Sequence, residues 1–244
     1  MAELSRLLKK YFVYSHTHYY MNFFLLCCLV ICIITTAYSL RREHWAALFL
    51  VYASAAFILV VFNFLLPLMG DKNLNRMEGG NILFSIAEYF VFYFYFKAIL
   101  VSRATKRVMF YFLVSYCILA CFSLLYMLNK ETTEHAVSKI ADFLISTELL
   151  FLSILCLIYY VELFRKKIQL HLYFSPSFRI ITALFIYTAI IAPFFLISDE
   201  LRTTYGNLYY KAFALHYVSF GVLFIAISTA MVRRKPAHDQ NQNI

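Results

Sequence analysis

The sequence has few residues that form turns and few that favour water. Only five glycines and four prolines occur among 244 residues, which favours long helices and argues against strands joined by tight turns. Charged residues make up 14% of the chain and hydrophobic residues 63%, whereas soluble domains carry about 25% charged and roughly 45–50% apolar residues. This composition excludes an ordinary soluble domain and predicts a polytopic membrane protein.

Familiar catalytic and metal-binding motifs are also missing from the sequence. It contains no HExxH, GxSxG or P-loop spacing. His16 and His18 have no third ligand nearby in the sequence, and no lysine lies deep in the last apolar run, where a retinal Schiff base would need one. The cysteines all fall inside apolar runs and lack the spacing of a disulfide framework or zinc site: Cys27, Cys28, Cys32, Cys117, Cys121 and Cys156. We therefore expect no cofactor, no metal and no catalytic residue, and the balance is against an enzyme.

Long apolar runs are what the sequence has in abundance. Each of seven runs is near or above the roughly 20 residues that a helix needs to cross a bilayer. We predict an all-α membrane protein, a single seven-transmembrane-helix bundle that takes up residues 1–244 as one domain. Residues 1–18 are too polar to span and predict an interfacial segment, and 233–244 predict a cytoplasmic tail. The predicted spans are about 19–40, 45–69, 80–101, 107–128, 140–164, 179–198 and 207–232.

The net charge of +9 comes from basic residues at the ends of the apolar runs, a pattern typical of topology signals rather than of nucleic-acid binding. The side with more Lys and Arg is predicted to be cytoplasmic, which puts the N-terminus outside and the C-terminus inside. We call this side the basic face; it comprises Arg41, Arg42, Arg103, Lys106, Arg107, Arg165, Lys166, Lys167, Arg179, Arg233, Arg234 and Lys235. The opposite side carries fewer basic residues, nine, and nearly all the loop acids.

The third apolar run carries an acid in its middle, Glu88, among tyrosines and phenylalanines. A charged group at that depth costs on the order of 2.5–3.5 kcal/mol on insertion scales. Ser85 lies on the same helical face as Glu88, and Tyr89 flanks that face. This stripe is therefore predicted to face the bundle interior, sheltered from lipid by the other helices.

Other polar side chains are candidates for the same interior site. Glu148 in the fifth run lies too deep to reach water easily, whereas Asp142 lies near the outer end of that run. His216 in the seventh run offers a polar partner, and Asn63 lies in the second run. Three interpretations of Glu88, Glu148 and His216 stay open: helix packing only, a polar ligand pocket, or a pathway for protons or cations.

The loop over 165–178 is the one connection with a character of its own. It begins with Arg165, Lys166 and Lys167 and continues with apolar residues that suit a membrane interface. Two interpretations stay open here as well. The loop is either a basic cytoplasmic flank in contact with the membrane surface or a docking surface for a cytoplasmic partner.

Two passages carry a family resemblance: IAEYFVFYFYFKAIL (86–100) and the long stretch over 146–195. They resemble an uncharacterised group of bacterial seven-helix membrane proteins with an acid in an aromatic third helix. In that group helix five ends in a YxxEL-like sequence, here Tyr159, Glu162 and Leu163, and helix six begins at a Pro-x-Phe. The resemblance implies seven helices in a bacterial cytoplasmic (inner) membrane and no particular activity. The group tends to have an acid in helix two, where this chain has Asn63.

The sequence thus favours a non-enzymatic sensor or binding subunit. It would bind a lipid or small molecule in a polar pocket near Glu88 and signal through its cytoplasmic loops to a partner. The alternative is a small proton- or cation-coupled transporter or channel. The lipid bilayer is an expected partner, nucleic acid is not, and the sequence leaves the oligomeric state open.

Overall fold

The computed structural model describes residues 2–41, 43, 45–65, 74–127, 134–165, 175–204 and 206–232. Within these ranges the chain is almost entirely helical, as an all-α membrane bundle requires, and the predicted fold class is confirmed. The helices are α1 (Ala2–Ser39), α2 (Ala46–Leu65), α3 (Leu74–Ile99), α4 (Arg103–Met127), α5 (Glu134–Arg165), α6 (Pro176–Thr204) and α7 (Gly206–Val232).

Six of these helices contain an apolar stretch long enough to cross a membrane. The seventh, α2, has a shorter described apolar stretch, Ala46–Phe62. Every backbone N–H and C=O must be satisfied within the segment in a hydrocarbon environment, which is why apolar runs of this length form helices. The protein is therefore a polytopic membrane protein.

Several helices extend into segments that the sequence predicts as loops. Helix α4 begins at Arg103, so the connection from α3 is only Leu100, Val101 and Ser102, where we predict a loop over 102–106. Helix α1 runs unbroken from Ala2 for 38 residues, a length of about 57 Å, which makes 2–18 continuous with the first span. Hydropathy locates the apolar part of a helix, whereas intrahelical hydrogen bonds carry the helix on through polar residues.

The helices form a ring in which each packs against its neighbour. The order around the ring is α1, α2, α3, α5, α6 and α7, and α7 packs back on α1. Helix α4 lies outside the ring against α3 and α5, and only 22% of its apolar stretch is buried. The ring brings the inner faces of α2, α3 and α5 together.

Three hydrogen-bonded side-chain pairs connect α5 to α6. The Ser198 hydroxyl donates to Asp142 Oδ2 at 2.6 Å, and the Ser153 hydroxyl donates to Thr188 Oγ1 at 2.7 Å. The Tyr160 hydroxyl donates to Thr182 Oγ1 at 2.9 Å. The α5 residues span about 27 Å of helix, close to the thickness of the hydrocarbon layer. These hydrogen bonds therefore fix the register of the α5–α6 pair over nearly its whole membrane depth.

The helix ends at the basic face are also connected. The buried Ser39 hydroxyl donates to the Met231 carbonyl at 3.0 Å, which places the ends of α1 and α7 side by side. Glu162 accepts from the Thr105 hydroxyl at 2.6 Å and from the Val101 backbone N–H at 3.1 Å. The acid of the YxxEL-like sequence thus holds the short α3–α4 connection against the end of α5.

Helices α1 and α7 approach each other closely at Gly221. A Cβ placed there would lie 2.6 Å from the Phe24 ring and 3.3 Å from Cys28 Sγ. Small residues at such positions let the backbones of membrane helices pack directly on one another. Gly79 in α3 is different, because a Cβ there would meet no atom within 4 Å.

We predict that Gly221→Leu destabilises the protein by about 1–3 kcal/mol, as overpacking typically does. The matched variant Gly79→Leu adds the same side chain where there is space and should leave stability nearly unchanged. Thermal unfolding of the purified protein in detergent measures both. Equal unfolding temperatures for the two variants would show that the α1–α7 approach at Gly221 is not tight.

Candidate functional site

Glu88 lies inside the bundle, with only 4% of its surface exposed. Its Oε1 accepts a hydrogen bond from the Tyr52 hydroxyl of α2 at 2.6 Å. The predicted stripe of α3 faces the interior, since Ser85, Phe92 and Tyr95 on the same face are also buried. The acid is thus sheltered from the hydrocarbon, as the sequence predicts, and α2 supplies the hydrogen bond that its depth requires.

Aromatic rings enclose the Tyr52–Glu88 hydrogen bond. The Tyr52 ring stacks on Phe84 at 5.8 Å and on Phe224 at 5.2 Å between centroids. Phe92 meets the Tyr52 ring edge to face at 5.4 Å. These rings come from α3 and α7, so an aromatic shell surrounds the hydrogen bond.

Glu148 lies opposite on α5 and is 1% exposed. The Ser85 hydroxyl donates a short hydrogen bond to Glu148 Oε2. Ser85 Oγ also lies 2.6 Å from the Tyr116 hydroxyl of α4. A serine hydroxyl has one proton, so when Ser85 donates to Glu148, Tyr116 must donate to Ser85. The structure therefore brings Glu88 and Glu148 into one polar cluster, defined here as Tyr52, Ser85, Glu88, Tyr116 and Glu148.

The carboxyl groups of this polar cluster have no cationic partner. Glu88 and Glu148 interact electrostatically with each other, and within the described part of the chain neither meets a positive charge. Glu148 Oε1 has no hydrogen-bond partner among the described residues. Burying an unpaired ion costs several kcal/mol, and two adjacent carboxylates repel each other. A proton on one of the two groups would remove its charge and this repulsion.

Tyr89 lies beside the polar cluster without joining it. Its ring is fully buried and lies 4.5 Å from the ring of Tyr116. Its hydroxyl has no hydrogen-bond partner among the residues that the structure describes. Tyr89 thus contributes packing and an available hydroxyl next to the acids.

His216 is not part of the polar cluster. It lies in an aromatic cage, with the Phe220 ring stacked on it at 5.8 Å and Tyr187 at 5.9 Å. Its buried Nδ1 has no hydrogen-bond partner among the described residues. Tyr187 lies between the two sites, because it contacts His216 and also interacts electrostatically with Glu88 and Glu148. Of the three ionisable groups, the two acids thus share one cluster, whereas His216 is connected to them through Tyr187.

The remaining predicted site residues lie away from the polar cluster. Asp142 bonds Ser198 in the α5–α6 interface. Arg165 is exposed at the end of α5, where it lines a cavity of about 220 Å³. The side chain of Asn63 lies outside the described residues, as do Lys166 and Lys167.

The sequence does not identify two tyrosines that lie near the acids. Tyr116 reaches Glu148 only through Ser85, and Tyr187 is one of twenty tyrosines. Buried tyrosine hydroxyls need partners, but which tyrosine lies near which acid depends on how the helices pack. For Tyr52, the signal that the sequence offers is the helical face it shares with Ala56 and Asn63.

Comparison with family models, with curated proteins and with solved structures finds no match to this chain. The site must therefore be interpreted from its own chemistry. No group of three His, Cys, Asp or Glu side chains among the described residues has the geometry to hold a metal ion. The polar cluster combines two carboxyl groups with three hydroxyls, a set suited to binding and releasing a proton or accepting hydrogen bonds.

We predict that Ser85→Ala lowers the free energy of unfolding by about 1–3 kcal/mol, because it leaves buried atoms of Glu148 and Tyr116 without a partner. Ser146→Ala is the matched control. Ser146 is 1% exposed and its hydroxyl has no partner among the described residues, so its removal should cost much less. Unfolding in mixed micelles measures both variants. Equal losses would show that the Ser85 bridge contributes nothing specific.

Proposed function

We propose that this protein is a non-enzymatic membrane sensor subunit whose responsive element is the polar cluster. The input would be the binding or release of a proton or a small polar ligand at the Glu88–Glu148 pair. Glu148 Oε1, which has no partner among the described residues, is the atom at which such a species would bind. The output would reach a cytoplasmic partner through the basic face.

One observation carries this proposal: a continuous set of contacts runs from the acid to the basic face along the α2–α3 interface. About one turn closer to that face than Tyr52 and Glu88, Phe49 meets Phe92 at 6.2 Å. One turn further on, Trp45 meets Tyr95 edge to face at 5.5 Å. Trp45 directly precedes α2, next to the connection that carries the arginines of the basic face. A change at the Tyr52–Glu88 hydrogen bond would therefore shift rings that end at this face.

The direction of signalling follows from the expected topology. If the basic face is cytoplasmic, as the distribution of Lys and Arg predicts, the Trp45 end of the α2–α3 pair faces the cytoplasm. The loop that begins at Arg165 would then supply the docking surface. The resemblance to bacterial seven-helix proteins supports placing the protein in the bacterial inner membrane.

Trp45 is the single tryptophan of the chain and provides a native reporter of this coupling. We predict that its fluorescence changes with pH in lipid vesicles, because a proton on the acid pair alters the hydrogen bond from Tyr52. Glu88→Gln and Glu148→Gln should abolish the transition. Glu43→Gln should retain it, which excludes direct quenching by the acid nearest Trp45 in the sequence. A transition that survives in the Glu88→Gln, Glu148→Gln double variant would contradict the proposal.

Proton- or cation-coupled transport is the second candidate. The observation that favours it is the position of Tyr187 between the acid pair and His216. These groups extend across the bundle from α3 and α5 through α6 to α7, as a proton pathway would require.

Flux measurements in proteoliposomes separate the two functions. For a sensor we predict no gradient-driven flux of protons or alkali cations above that of empty liposomes. A flux that is lost in Glu88→Gln and retained in Asp142→Asn would establish transport through the acid pair. It would overturn the sensor function even if the fluorescence of Trp45 responded to pH.

A further inference from the structure

A cavity of about 490 Å³ lies at the basic face between α1, α6 and α7. It is separate from the polar cluster and is lined by Ile31, Thr35, Arg179, Ser228, Thr229 and Val232. Its lining therefore combines a guanidinium group, three hydroxyls and aliphatic side chains.

Arg179 supplies the positive charge of the cavity. It lies in the first turn of α6, and its Nη1 donates to the Thr229 carbonyl of α7 at 3.2 Å. This hydrogen bond holds the guanidinium group against the cavity wall. Nε and Nη2 of Arg179 are buried, so Nη1, whose hydrogen bond is exposed, is the nitrogen that can meet a phosphate.

Further basic residues lie close in the sequence to the helix ends at this cavity. The Ser39–Met231 hydrogen bond places the ends of α1 and α7 together at this point. Arg41 and Arg42 follow Ser39 closely in the sequence, and Arg233, Arg234 and Lys235 follow directly after Val232. Basic pockets between transmembrane helices at one membrane surface are suited to anionic lipid headgroups.

The hydroxyls of the cavity add a second requirement on the ligand. Thr35 donates to the Ile31 carbonyl at 2.9 Å, and Thr229 donates to the Ala226 carbonyl at 3.0 Å. Each threonine hydroxyl has a single proton, so both present acceptor lone pairs to the cavity. A ligand matched to this site carries an anionic group for Arg179 and hydrogen-bond donors for the threonines.

The apolar part of the lining indicates a lipid rather than a soluble ion. Ile31 is 51% exposed and Val232 is 53% exposed. Ile34, also exposed, continues the same outer surface of α1. Acyl chains would lie along this surface while the headgroup occupies the cavity.

We propose that this cavity binds an anionic phospholipid with a hydroxyl-bearing headgroup, of which phosphatidylglycerol is the simplest. The phosphate contacts Arg179, and the glycerol hydroxyls donate to Thr35 and Thr229. Phosphatidylcholine has the same phosphate but no headgroup donor, so the site selects against it. This proposal does not rest on the sensor function of the acid pair.

Native mass spectrometry of the full chain in detergent, titrated with phosphatidylglycerol or phosphatidylcholine, tests the proposal. Phosphatidylglycerol should bind more tightly. Arg179→Gln should weaken its binding by about tenfold or more, the effect of losing a charged hydrogen bond. Arg103→Gln removes an exposed charge of the basic face outside the cavity and should cost about fivefold or less, the effect of one surface charge. Equal losses in the two variants would overturn the site.

A second pair of variants keeps the test valid if Arg179→Gln fails to fold. Thr35→Val preserves side-chain shape and should weaken phosphatidylglycerol binding about twofold to tenfold, the effect of one neutral hydrogen bond. Thr147→Val is its control, because Thr147 makes the same intrahelical hydrogen bond, to the Phe143 carbonyl at 2.9 Å, outside the cavity. No difference between these variants would contradict the proposed role of the threonines.

Competition with free glycerol phosphate distinguishes the two sources of a phosphate group. The lipid should stay bound when glycerol phosphate is present at the same concentration, because the acyl chains contribute to binding. Displacement of the lipid at equal concentration would overturn the assignment to a lipid and indicate a site for a soluble phosphate ester.

Discussion

The cost of holding two carboxyl groups inside a membrane is the constraint on which this structure depends. Neither Glu88 nor Glu148 reaches water or a cation within the described part of the chain, so hydroxyl groups must satisfy them. Those hydroxyls come from α2, α3 and α4. The acids therefore require four helices to meet at one place. This requirement explains why α4, which is otherwise largely exposed, packs against both α3 and α5.

In the sensor function that we propose, the same cost would let the site respond to a proton or ligand. A polar network in a medium of low dielectric constant stabilises the fold when it is satisfied and destabilises it when one proton is added or removed. Glu148 Oε1 is the point at which the network is incomplete. Around it the packing is aromatic and tight, and the aromatic contacts along α2 and α3 lead to Trp45. A local change in charge is thus placed where it can alter the packing of two helices at the basic face.

The acids along α5 have different hydrogen-bond partners at different depths in the bundle. At one end Asp142 bonds Ser198 of α6, and at the basic face Glu162 holds the α3–α4 connection. Glu148, between them, has a buried carboxyl oxygen with no hydrogen-bond partner among the described residues. These three acids of α5 therefore have different roles, two in holding helices together and one in the interior site. The cavity at Arg179 is separate from these acids and is the site that we propose binds lipid.

The sequence alone determined the helical class, the approximate spans and the inward position of Glu88, since length, hydropathy and the 3.6-residue period are local properties. It also identified Glu148 as an acid that cannot easily reach water. Only the tertiary structure decided that Tyr52 and Ser85 donate to the acids while Tyr116 bonds Ser85, that α3 packs on α5, and that aromatic rings separate His216 from the carboxyl groups. These are properties of helix packing, which depends on the fit of side chains between helices distant in sequence and leaves no periodic signal in any one of them.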